Sequence, residues 1–213
     1  MTSLIRRATL LTAVGLLAAS AAMAGVPSTG TSTQPLGISL VAHTGGIADG
    51  VAIGGSTYTI RDAASNPVAN SVVVMNFSTC TDVRLCSITQ PAGLFVNCAA
   101  KTVSAVTDAS GVVTFRVVGG GLTSGVAIIA PCVSVTADGV ALNTIRSSTC
   151  DMNGSGGVTS ADITLAKNDN NTNPARTRSD FNKSGSVTSA DITLLKNVDN
   201  GTGSDSSCDT YCP

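Results

Sequence analysis

Residues 151–167 read DMNGSGGVTSADITLAK, and residues 180–196 read DFNKSGSVTSADITLLK. Aligned on their first Asp, the two stretches agree at 13 of 17 positions, with an offset of 29 residues. Counted from that Asp, side-chain oxygens recur at position 1 (Asp151, Asp180), position 3 (Asn153, Asn182), position 5 (Ser155, Ser184), position 9 (Thr159, Thr188) and position 12 (Asp162, Asp191). Hard oxygens at 1, 3, 5 and 12, a main-chain carbonyl at 7 (Gly157, Ser186) and a water held at 9 are the ligand order of a calcium loop. Gly156 and Gly185 stand at position 6, where such a loop turns sharply. The expectation is two Ca²⁺ ions, one per loop. The rival reading is a pair of ion-free Asx-rich turns, which would leave clustered carboxylates without compensation.

The spacing also dictates the elements. Positions 1, 3 and 5 face inward as the loop winds round an ion, and position 12 comes back from the first turn of a following helix. Ser160 and Ser189 are suited to cap those helices, whose positive ends favour Asp162 and Asp191. Val158 and Val187, at position 8, are placed to pair across the loops as a short β-bridge. Ile163 with Ala166, and Ile192 with Leu195, give each helix a narrow apolar face.

From Gly37 to Arg146 the pattern changes to short strands and turns. STYTIRDA places Tyr58 and Ile60 on one face, SVVVMNFS gathers Val73, Met75 and Phe77, and VVTFRVV gathers Val113, Phe115 and Val117. Turn signals separate the runs: Asn66-Pro67, TDASG at 107–111, GGG at 119–121 and ADG at 137–139. About seven strands at this spacing predict a two-sheet sandwich. The D-x-x-x-N-P-V turn at 62–68 and the T-D-x-x-G-x-x-T-F turn at 107–115 resemble bacterial immunoglobulin-like domains of surface and secreted proteins. That resemblance covers about half of the chain and implies architecture, since such sandwiches serve as spacers, adhesins or ligand binders.

The duplicated D-x-N-x-S-G-x-V-x-S-A-D-I-T-L-x-K segment is similar to type I dockerin modules. The resemblance implies two calcium loops bracing two helices, no helix entering either loop, and docking onto a cohesin-like domain of a partner protein. The family's recognition positions fall on Ser160, Ala161, Lys167 and Asn168 in one copy and on Ser189, Ala190, Lys196 and Asn197 in the other. Both copies carry the same four residues, so by symmetry either helix offers the same face. Position 5, Asp in most of the family, is Ser155 and Ser184 here. Each cage then holds two formal charges, which places affinity near roughly 10⁻⁴ M or weaker. The stretch joining the copies, NDNNTNPARTRS, is short and polar and expected to trim the docking surface.

At the N-terminus, Arg6 and Arg7 precede an apolar run ending in Ala22-Met23-Ala24, the form of a cleaved export signal over residues 1–24. The expected product is secreted, with possible association to the cell surface. Its formal charge moves from −1 to −3 on loss of the two Arg, so nothing steers it to nucleic acid or an anionic membrane. All seven Cys (Cys80, Cys86, Cys98, Cys132, Cys150, Cys208, Cys212) follow the signal, which favours disulfides over zinc. The expected pairs are Cys80–Cys86 as a loop-tip bridge, Cys98–Cys132, and Cys150 with Cys208 or Cys212. An odd count leaves one thiol over or shared between chains.

His43 stands alone and no G-x-S-x-G or S-x-x-K serves a nucleophile. With no Trp and two Tyr, sugar-stacking platforms are lacking too. The predicted organisation is a signal at 1–24, an N-terminal segment at 25–36, an immunoglobulin-like β-sandwich at 37–148, a small α, EF-hand-like dockerin module at 149–200 and a Cys-containing tail at 201–213. The predicted function is non-catalytic: calcium orders the repeat for assembly with a cohesin-type partner in an extracellular complex. The alternative is a structural or adhesive protein, open to self-association, in which calcium only stabilises the C-terminal region. A small polysaccharide-degrading hydrolase is the third reading.

Overall fold

The computed structural model describes residues 25–42, 55–122, 130–171, 176–202, 208 and 210–213. The expected export signal and His43 lie outside these residues. The described residues are mainly β, with ten strands: β1 (Gly37–Leu40), β2 (Ser56–Thr59), β3 (Val72–Asn76), β4 (Val83–Leu85), β5 (Phe95–Asn97), β6 (Thr102–Val106), β7 (Val112–Phe115), β8 (Gly119–Gly121), β9 (Val133–Ala137) and β10 (Val140–Thr149). Two helices follow, α1 (Ser160–Asn170) and α2 (Ser189–Thr202), with a 3₁₀ turn at Thr177–Ser179 between them.

Period-2 alternation accounts for the strands. Tyr58, Ile60, Val73, Met75, Phe77, Val113, Phe115 and Val117 are all buried in one core, as the pleat requires of every second residue. The turns hold for local reasons. Asp108 Oδ1 accepts the main-chain N–H groups of Ser110 (2.8 Å) and Val112 (2.9 Å), closing an Asx turn before β7. At the β9–β10 hairpin Asp138 and Gly139 both take positive φ (47° and 81°), the condition for a tight two-residue connection.

A curled six-stranded sheet runs in the order β1-β10-β9-β3-β6-β5, with β1 parallel to β10 and the other neighbours antiparallel. Two antiparallel ribbons, β2-β7 and β4-β8, complete the strands. Tyr58 of β2 meets Phe115 of β7 edge-to-face at 6.4 Å, inside the same core as Met75, Val103, Val135 and Ile145 of the large sheet.

The GGG stretch at 119–121 is not a turn. It forms buried strand β8, paired with β4. Bare Cα atoms are needed there, because a Cβ on Gly121 would stand 2.2 Å from the Met152 carbonyl oxygen and one on Gly120 would stand 2.7 Å from the Tyr211 hydroxyl. Main chain from the repeat and a side chain from the tail occupy that space.

The disulfides differ from all of the expected pairs. Cys80 joins Cys132, Cys86 joins Cys208 and Cys98 joins Cys212, while Cys150 keeps its thiol, fully buried. Cys80 and Cys86 are separated by extended β4, whose rise of about 3.3 Å per residue carries them beyond the ~7 Å reach of a bridge. The tail runs antiparallel along β4: Ser87 N donates to Thr210 O (2.9 Å), Cys212 N donates to Leu85 O (2.8 Å), and Cys86 bridges Tyr211. That path delivers Cys208 to Cys86 and Cys212 to Cys98. Cys150 faces a second core with Met152, Phe181, Ile192, Leu195 and Val198.

Candidate metal centre in the paired loops

β10 ends at Thr149 and the first loop begins at Asp151 with no spacer. Asp151 forms a parallel bridge with Gly120, and its carbonyl accepts from Gly121 N at 2.6 Å. The second core includes Ala42 from the end of β1 and Cys150 from the end of β10, beside Ala166 of α1 and Leu195 of α2. The repeat therefore packs directly on the sheet. Ala166, Ile192 and Leu195 are buried and Ile163 packs beside them, so the apolar faces read from the spacing do meet.

The two loops reproduce one geometry. In the first, Asp151 accepts Ser155 N on Oδ1 (3.0 Å) and Gly156 N on Oδ2 (2.7 Å), while Asn153 Oδ1 accepts Ser155 N at 2.9 Å. In the second, Asp180 accepts Ser184 N (3.0 Å) and Gly185 N (2.9 Å), and Asn182 Oδ1 accepts Ser184 N at 2.9 Å. Gly156 and Gly185 take φ of 95° and 92°, the left-handed turn that position 6 demands. At position 12, Asp162 accepts Asn153 N (3.2 Å) and Thr159 N (2.8 Å), and Asp191 accepts Asn182 N (3.1 Å) and Thr188 N (2.8 Å). Position 12 thus reaches back across each loop to position 3, enclosing a ring of oxygens.

Helix capping falls one residue earlier than expected. Thr159 is the N-cap of α1 in a reciprocal capping box with Asp162, and Ser160 is the first helical residue. Thr188 makes the matching contacts, accepting from Ala190 N at 3.3 Å and donating to Asp191 Oδ2 at 3.0 Å. The threonine hydroxyls are therefore engaged on the position-12 carboxylates and the helix ends. Val158 and Val187 are both buried, but no β-bridge joins them among the described residues. Their side chains pack inward instead of their main chains pairing.

Asp151, Asp162, Asp180 and Asp191 are each at most 1% exposed. Among the described residues none of the four forms an ion pair, since both ion pairs fall on Asp169. Burial pushes the Asp162 carboxyl above the usual carboxylate range, against the pull of its bonds from Thr159 and Asn153, and the nearby Asp151 adds to the rise. A divalent cation is the natural compensation for two buried carboxylates facing one another. The donor set fits a hard ion: carboxylates at 1 and 12, the Asn carbonyl at 3, and main-chain oxygen at 7. Ser186 O accepts from Ser184 Oγ at 3.1 Å, so positions 5 and 7 of the second loop already face each other. Among the described residues no three of His, Cys, Asp or Glu cluster together, because position 5 is Ser in both loops.

Several residues around the loops carry no sequence signal. Lys183 extends from the second loop to the sheet, where Nζ donates to Ser39 Oγ (2.8 Å), to Ser148 Oγ and to Asp180 O (3.1 Å). A Cβ on Gly37 would stand 2.6 Å from its Cδ. Burial lowers the Lys183 ammonium to about 7, against the opposing pull of Asp180. Arg178 is 1% exposed: Nε donates to Asp169 Oδ2 (2.7 Å), Nη2 to Asp169 Oδ1 (3.1 Å) and Nη1 to Leu122 O (3.0 Å). A position read as polar connection is in fact a buried tie between α1, the 3₁₀ turn and the sheet. Tyr211 Oη donates to Asp151 Oδ2 at 2.6 Å, and the Arg84 guanidinium lies 4.5 Å from the centre of its ring.

Ser160, Ala161, Lys167 and Asn168, with Ser189, Ala190, Lys196 and Asn197, are all exposed. No helix among the described residues is long and apolar enough to cross a membrane. Residues 149–198 match the family model described as dockerin type I domain, about a quarter of the chain. No curated protein and no solved structure matches.

Proposed function

We propose that each loop holds one Ca²⁺ and that the ordered helix pair docks onto a cohesin-type domain, bringing an exported, non-catalytic protein into an extracellular assembly. The observation that carries this reading is the twofold repetition of one enclosed oxygen ring on buried, uncompensated carboxylates, inside the segment that matches the type I dockerin model. Asp151, Asn153, Ser155, Gly157, Thr159 and Asp162 surround the first ion, and Asp180, Asn182, Ser184, Ser186, Thr188 and Asp191 the second. Calcium supplies the positive charge that lets both carboxylates of a loop stay ionised in a buried setting. Three disulfides fit an oxidising compartment, which agrees with export directed by residues 1–24.

The strand region reads best as an immunoglobulin-like scaffold. Support comes from the run β10-β9-β3 facing the β2-β7 ribbon, the arrangement of strands G-F-C opposite B-E in such domains. The eight exposed helix residues form the docking surface in two equivalent copies. Titrating the protein with a cohesin domain, with and without Ca²⁺, tests the reading. Charge-reversing Lys167→Glu and Lys196→Glu together is expected to abolish calcium-dependent binding, with either change alone leaving much of it. Binding that ignores calcium, or survives the double change, rejects the docking surface.

One observation favours a second reading, in which calcium is a brace only. The first loop is paired to β8 and the second is tied to β1 and β10 through Lys183, so ion binding stiffens the sheet edge as well. No cohesin binding, with a calcium-dependent rise in melting temperature, would select it.

A further inference from the structure

The two loops share most of their internal hydrogen bonds but differ in what the rest of the chain brings to their position-1 carboxylates. The Asp180 carboxylate accepts only from main-chain N–H groups of its own loop among the described residues. Asp151 carries an additional donor, the Tyr211 hydroxyl, on the Oδ2 atom that also accepts Gly156 N. Tyr211 lies beyond the segment that matches the dockerin model. It is held in place by two covalent anchors one residue and three residues away, at Cys212 and Cys208, and by strand pairing with Cys86. Arg84 lies against one face of its ring, and bare Gly120 leaves room for its hydroxyl. Strap, glycine and arginine together fix one phenol oxygen on one carboxylate.

Resting on the calcium reading above, we propose that Tyr211 is a positioning residue for the first calcium loop alone, delivered to Asp151 by a disulfide-anchored C-terminal strap. By adding a second hydrogen bond to Oδ2, the hydroxyl restrains the rotation of the carboxylate. Hydrogen-bonded partners of metal ligands act in this way, and their loss typically weakens binding about 10–100-fold. The second loop, without such a donor, is the weaker or more mobile partner of the pair.

The test uses the full chain with Ca²⁺ calorimetry and two isolating backgrounds, Asp191→Ala to leave the first loop and Asp162→Ala to leave the second. Tyr211→Phe keeps the ring over Arg84 and removes one oxygen. The expected result is about tenfold weaker binding in the first background and no change in the second. Tb³⁺ provides a second readout: ultraviolet-sensitised emission from the first loop depends on Tyr211, since Tyr58 lies in the sheet core, and disappears in Tyr211→Phe. Equal weakening of both loops would make Tyr211 a general structural residue, and no weakening of either would remove its role; each overturns the proposal while leaving the calcium reading intact. Failure of the unsubstituted chain to bind Ca²⁺ at all overturns both.

Discussion

Arg178→Met probes the tie that the chain hides in its most polar connection. The guanidinium donates two hydrogen bonds to Asp169 and one to the Leu122 carbonyl, all within a site where Arg178 and Asp169 are 1% and 2% exposed. Ser179 Oγ at 2.7 Å and the more open Arg176 at 3.6 Å are among the contacts that stay with Asp169 once the guanidinium is removed. A buried charge stripped of its main partner costs about 3–5 kcal/mol. For a chain of this length each kcal/mol moves the melting temperature by about 2–4 °C, so the shift is roughly 6–20 °C. Arg176→Met, whose side chain is 30% exposed, should cost no more than about 1 kcal/mol. Guanidinium unfolding in saturating Ca²⁺, without reductant, measures both. In the double variant Asp169→Asn/Arg178→Met the losses should fall short of additivity by about 1–3 kcal/mol. An Arg178→Met cost below about 1 kcal/mol, or strictly additive losses, would refute the buried-pair argument.

Other consequences follow from the same contacts. Peptide mapping under non-reducing conditions should recover Cys80–Cys132, Cys86–Cys208 and Cys98–Cys212, with Cys150 alkylated only after unfolding; a Cys80–Cys86 peptide would contradict the strand geometry. Gly121→Ala places a methyl group against the Met152 carbonyl, which should cost about 1–3 kcal/mol of overpacking and weaken the first calcium site more than the second, as seen by denaturation and calorimetry. Lys183 gives up its proton at about 7 in the folded chain and near 10.5 unfolded, so the unfolded state binds more protons between those values and stability rises with pH across that window. Urea midpoints between pH 7 and 9 in chelator should show this rise, and Lys183→Met should flatten it; an unchanged slope would show that the ammonium is not desolvated.

The loop geometry was legible because the repeated spacing of Asp, Asn and Gly fixes where the chain turns and which side chains meet. Asp151, Asn153 and Asp162, and their counterparts 29 residues on, converge as the count along the chain required. Alternation was equally informative at Val73, Met75 and Phe77, where burial follows the pleat. What failed depended on contacts distant in sequence. Gly119–Gly121 has the composition of a turn, and only the loop and tail packed upon it explain a glycine strand. Cysteine spacing carries no information about a tail that returns to pair with β4 across more than 100 residues. Thr159 displaced Ser160 as the cap because the position-12 carboxylate completes a capping box with the residue three before it. Tyr211, Lys183 and Arg178 act through partners that no local pattern encodes.

As two calcium cages, the repeated Asp residues should hold Ca²⁺ and lose it with their position-12 carboxylates. Calorimetric titration of the protein with Ca²⁺, beside the Asp162→Ala/Asp191→Ala variant, tests it most directly. Saturable binding of two ions per chain is expected, as weak as roughly 10⁻⁴ M, with its loss in the variant. Absence of saturable binding at millimolar Ca²⁺, or binding that survives loss of both position-12 carboxylates, would contradict it.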